Sequence, residues 1–127
     1  MNSNIKFDCS CGSTFILNRH LWIVITPPAS STDEVIIVFL TSKKDHSDTT
    51  TFITPDDHKF VKHETVISFA DARILKKDDI IYRANERLIE PRDKISDSKI
   101  KEIQTGLIAS PRTPQDIKDF FLRNFSD

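Results

Sequence analysis

Glycine is nearly missing from this chain, with two residues in 127. A Gly-rich phosphate loop cannot be built from so few. Tight primed hairpins on Asn-Gly or Gly-Gly are likewise excluded, so turns must draw on Pro, Asp and Ser. Tryptophan, tyrosine and methionine occur once each against nine Phe, which leaves phenylalanine to supply the aromatic filling of a core. No apolar run approaches the roughly 20 residues of a membrane helix. Neither charge sign dominates: 18 basic residues face 19 acidic ones, a net charge of −1. That balance excludes nucleic-acid binding by bulk charge but permits a local basic patch. The segment Met1 to Asp8 has no apolar h-region, so no signal peptide is expected and a cytoplasmic, non-membrane protein is. Cysteine is limited to Cys9 and Cys11, one residue apart. Zinc sites want two pairs at wider spacing, and a disulfide across one residue is strained. Reduced thiols are the expectation, with a metal role shared with histidines as the alternative; no metal or cofactor is predicted. The G-x-S-x-G and H-E-x-x-H patterns are also missing.

What is present is a globular composition, 38% hydrophobic and 29% charged, of a length that suits one domain with a real core. Two apolar runs organise it. Arg19-His20 opens Leu21 to Thr26, and Glu34 opens Val35 to Leu40, which closes on Thr41-Ser42. Both runs are rich in β-branched and aromatic residues and are joined by the turn-rich Pro27 to Asp33. Continuous apolar runs bounded by turn signals predict central strands buried on both faces.

Around these, residues 1–13 are predicted to be irregular, with at most a weak edge strand at Ile5 to Phe7. Thr14 to Leu17 is a short strand, and Thr49 to Thr54 an extended, partly exposed one. Pro55-Asp56-Asp57 is a turn, and Val66 to Phe69 begins a strand that Ala70 to Leu75 continues. Lys76 to Asp79 reads as a solvated turn and Ile80 to Leu88 as an ambiguous, extended segment. Ser96 or Asp97 then caps a helix whose stripe is Ile100, Ile103, Leu107 and Ile108, closed by Pro111. A second helix starts from a Thr113 cap with Pro114 at its first position, and presents Ile117, Phe120, Phe121 and Phe125. The expected fold is α+β, mainly β: a small antiparallel barrel over 14–90 with helices over 96–126, all in one domain, 1–127.

Chemistry-bearing residues gather at strand ends. If the two central strands are antiparallel neighbours, Arg19 and His20 at the start of one lie near Thr41 and Ser42 at the end of the other. A guanidinium beside a hydroxyl suits a phosphate, and a histidine there suits a general acid or base. His58 and His63 flank Lys59 to Lys62, and with Lys43, Lys44, Lys59 and Lys62 they are candidates for contacting a nucleic-acid backbone.

The run from Arg19 to Thr26 resembles the second strand of MazF/PemK-type (Kid/CcdB-like) toxins, where an arginine precedes an apolar run. Val35 to Ser42 resembles the next strand, which ends on a catalytic threonine in that family. His63 to Leu75 and Leu88 to Ile108 resemble the later strand and the C-terminal helix region, so the likeness covers roughly residues 14–108. It implies an SH3-like barrel, often homodimeric, with endoribonuclease activity on single-stranded RNA and a partner antitoxin. By position, Arg19 would stabilise charge on the scissile phosphate and Thr41 would act at the 2′-oxygen or the phosphate. The chain departs from the family in carrying Arg19-His20 for the usual Arg-Pro, in lacking the first-loop glycines, and in its histidines at 20, 58 and 63. Three functions are therefore expected to compete: a nuclease using Arg19, His20 and Thr41; a non-catalytic barrel that binds RNA or protein through basic loops; and a histidine-based hydrolase or metal protein using His20, His58 and His63.

Overall fold

The computed structural model describes residues 7–125. Six strands form one antiparallel sheet that curls into a half-barrel, with three helices packed around it. In chain order they are β1 (Thr14–Leu17), β2 (His20–Val24), β3 (Glu34–Ser42), β4 (Phe52–Ile53), β5 (Thr65–Lys76), α1 (Lys77–Asn85), β6 (Glu90–Arg92), α2 (Asp97–Ala109) and α3 (Gln115–Phe125). The strand order is β4-β5-β3-β2-β1-β6. The α+β, mainly β expectation holds at this level. The first two positions of the weak strand expected at Ile5 to Phe7 lie outside the described residues, and Phe7 itself is not in a strand.

The two apolar runs are the middle of the sheet, paired antiparallel through Trp22↔Phe39, Ile23↔Val38 and Val24↔Ile37. Because side chains alternate across a strand, each run divides between two cores. Leu21, Ile23, Ile36, Val38 and Leu40 join Ile67, Phe69 and the helix residues Ile103, Leu107, Ile117 and Phe120 in the larger cluster. Trp22, Val24, Val35 and Ile37 join Phe15, Ile80 and Ile89 in the smaller one on the other face. The pairing of β3 with β5 shifts register between Ile37↔Arg73 and Phe39↔Ser68. The surplus residues on β5 form a bulge, and bulges of this sort bend a sheet. Ser68 braces it by donating to Asp71 at 2.6 Å.

The helices follow from ordinary signals in one case and not in two. α2 is capped as expected: Ser96 accepts the Lys99 N–H at 3.2 Å. Its Gly106 is a close-approach glycine, since a Cβ there would collide with Thr51 and come within 2.8 Å of the Phe69 ring. α3 starts where expected, but Thr113 does not cap it; its Oγ1 is buried without a partner among the described residues. α1 corrects the solvated turn and extended segment expected over Lys76 to Leu88. Asp78 and Asp79 occupy its first turn, where carboxylates favour the positive end of the helix dipole. Ile80 alone is buried from it. The Thr-rich strand shrinks to Phe52–Ile53, and β6 extends the sheet past residue 90, with Pro91 on an edge strand as its missing N–H requires. No helix among the described residues is long and apolar enough to cross a membrane.

Candidate active site

The two-residue turn between β1 and β2 sets the first wall of the site. Leu17 pairs with His20, leaving Asn18 and Arg19 as the loop. Their φ values are +52° and +70°, the double left-handed geometry of a primed hairpin. A primed hairpin therefore forms here without glycine. Asn tolerates this region well, whereas an arginine in it costs of order 1–2 kcal/mol. The chain holds Arg19 in a strained position at the mouth of a cavity.

That cavity is open and has a volume of about 370 Å³. Carrying the β2–β3 register two residues beyond Trp22↔Phe39 brings His20 opposite Thr41. Arg19, His20, Thr41 and Ser42 all line the cavity. From the facing loop between β4 and β5 come Phe60, Val61, Lys62 and His63, with Lys44 at the end of β3 and Thr65 at the start of β5. No carboxylate lines it, and neither Arg19, Lys44 nor Lys62 has an acidic partner within salt-bridge distance among the described residues. The site is thus a pocket of unpaired positive charge and hydroxyls, suited to an anion.

Two imidazoles are held differently within it. His20 stacks on Phe39 at a centroid distance of 4.3 Å, and its Nδ1 lies 3.1 Å from the Leu40 carbonyl. A carbonyl only accepts, so Nδ1 carries the hydrogen and Nε2 keeps the lone pair of the neutral ring. His63 hydrogen-bonds Ser42 Oγ through Nε2 at 2.6 Å. One nitrogen of each ring remains for a ligand.

Three candidates fall elsewhere. His58 is 5% exposed and does not line the cavity. Its Nδ1 accepts the Phe60 N–H at 3.0 Å, and its Nε2 donates to the Asp93 carbonyl at 2.8 Å, beside Thr14 Oγ1. Both nitrogens are used inside the framework, so the expectation of three imidazoles facing one cavity is corrected to two. Lys59 points its charge at Asp93, 3.1 Å away and well exposed. Lys43 is exposed, and its backbone N–H bonds Glu64 O at 3.1 Å, zipping the loop onto the end of β3. The substrate-contact role expected for these three has no support in their placement. Conversely, Phe60 was not among the expected site residues. It is 40% exposed at the rim, and an aromatic among charged loop residues, between two histidines, was the available signal.

The cysteines stand apart from this site. Both are free thiols; burial pushes Cys9 up to about 11 and raises Cys11 as well, which disfavours the thiolate that metals and electrophiles require. Among the described residues no group of three His, Cys, Asp or Glu side chains is arranged to hold a metal ion. Set against known proteins, the chain matches no family model and no curated protein.

Proposed function

We propose that this protein is a cytoplasmic endoribonuclease that cleaves single-stranded RNA, resembling MazF/PemK-type toxins and using a small SH3-like barrel as its scaffold. One observation carries the proposal: Arg19, His20, Thr41, Ser42 and His63 border one open, cationic cavity that no carboxylate lines among the described residues. In this mechanism the scissile phosphate sits between the Arg19 guanidinium and the hydroxyls of Thr41 and Ser42. His20 Nε2 takes the proton of the 2′-hydroxyl as that oxygen attacks phosphorus. The bond to the 5′-oxygen breaks, and protonated His63 supplies the leaving oxygen with its proton. The products are a 2′,3′-cyclic phosphate and a 5′-hydroxyl. Arg19, Lys44 and Lys62 offset the charge that grows on the phosphoryl oxygens, and Phe60 offers a face on which a base can stack. The resemblance brings with it an antitoxin protein and a homodimer as expected partners.

The Ser42–His63 bond supports a second reading, in which Ser42 is a nucleophile activated by its neighbouring base in an ester hydrolase. The two separate in one experiment on a mixed RNA pool and a nitrophenyl ester series. The nuclease proposal expects RNA fragments with cyclic phosphate ends, lost on Arg19→Ala and weakened by Thr41→Ala, while Ser42→Ala retains part of the activity. Ester turnover abolished by Ser42→Ala, without RNA cleavage, would establish the second reading instead. RNA binding without cleavage would leave a non-catalytic module.

A further inference from the structure

A second cavity, of about 270 Å³, lies on the face of the smaller core and shares no lining residue with the first. Its apolar wall comes from Phe15, Trp22, Ile37, Leu75, Ile80 and Ile89. Arg73 of β5 and Arg83 of α1 add two guanidinium groups, again with no carboxylate in the lining. Neither arginine has an acidic partner within salt-bridge distance among the described residues. Arg83 makes one long contact, 3.4 Å, to the Asp79 carbonyl of its own helix. Trp22 is 8% exposed, and its Nε1 is buried without a hydrogen-bond partner among the described residues.

We propose that this cavity binds a small organic acid, one carboxylate on a short apolar body. The carboxylate meets Arg73 and Arg83, whose planar forks match its two oxygens. The apolar body rests on Phe15, Ile37 and Ile80, beside the Trp22 side chain. The volume lies just below the range of drug-sized pockets, which limits the occupant to a short acid. Inorganic anions would use the arginines and leave the apolar wall bare.

Trp22 is the chain's only tryptophan, so its indole N–H gives one cross-peak in a proton–nitrogen spectrum of the whole protein. Hexanoate and phenylacetate are titrated against hexanamide, phenylacetamide and inorganic phosphate. The acids are expected to move that peak saturably, and the amides and phosphate to bind at least about tenfold more weakly, the loss of a charge-assisted pair or of the apolar contact. Arg73→Gln and Arg83→Gln are each expected to weaken the acids by a similar factor while the rest of the spectrum stays folded. No saturable shift with millimolar acid, amides that bind as well as acids, or a shift unchanged in the double arginine variant would each overturn the proposal. The comparison of acid with amide on the parent protein does not depend on the variants folding.

Discussion

The two walls of the first cavity are built on different physical terms. His20, Thr41 and Ser42 sit on β2 and β3, where backbone pairing fixes their relative positions. Phe60, Lys62 and His63 sit on a connection with no regular structure, held by side-chain anchors together with the Lys43 N–H bond to Glu64. His58 is the chief of these anchors: it ties the loop to Asp93, accepts the Phe60 N–H within the loop, and is buried. Asp57 adds a second, accepting the Thr54 N–H at 2.8 Å and lying 3.3 Å from Lys99 of α2. His58 and His63 are the same residue type in the same loop, yet one is spent on architecture and the other is left at a ligand-sized space. The number of ring nitrogens already satisfied separates them, where sequence position does not.

Three substitutions probe that contrast, beginning with the largest expected effect. Arg19→Gly acts on the strand wall. It should lower RNA cleavage by about 10²–10³, the usual worth of one charge-stabilising donor. The same change relieves the left-handed arginine and should raise unfolding free energy by about 1 kcal/mol. Cleavage assays beside thermal melts would read both, and a less stable variant would contradict the strain assigned to the turn. On the loop wall, His58→Ala leaves the Phe60 N–H without its acceptor and the Asp93 carbonyl with the Thr14 hydroxyl as its remaining donor. A loss of about 1–3 kcal/mol is expected in denaturant unfolding, and an unchanged midpoint would mean the loop is held by something else. The smallest effect belongs to Asp48, on the connection after β3. Burial opposes its charge, but hydrogen bonds from Ser110 and Thr50 and the nearby Arg112 hold its carboxyl below the ordinary 3.8. Its contribution is therefore complete above that value and fades as acid carries the pH down through the lower folded value. Unfolding measured from neutral pH into the acid range should lose stability more steeply in the parent than in Asp48→Asn, and parallel curves would dismiss the role.

Much of the strand wall was readable beforehand. Two continuous apolar runs joined by a turn-rich segment predict neighbouring antiparallel strands, and that alone puts Arg19 near Thr41. Of the loop wall, Lys62 and His63 were among the expected residues, but the anchoring of the loop was not readable, because His58 is fixed by Thr14 and Asp93, 44 and 35 residues away, and long-range hydrogen bonds leave no local pattern. Helix α1 escaped notice because Lys76 supplies no side-chain cap and a single buried isoleucine makes no stripe. Thr113 shows the reverse failure, a cap signal whose hydroxyl goes unused. The Asn18–Arg19 turn is legible in the sequence as a turn into β2, but its primed geometry is hidden by the absence of glycine, since that conformation is imposed by the strands on either side and not by the residue's own preference.

That turn has a position as well as a shape. Asn18 borders the second hollow and Arg19 the first, so consecutive links of one stressed tip look into separate chambers. A torsional change at the tip would displace a lining residue of each. If a guest in one chamber alters the tip, reciprocity obliges a guest in the other to return the same factor, and two residues would then be the whole length of the wire.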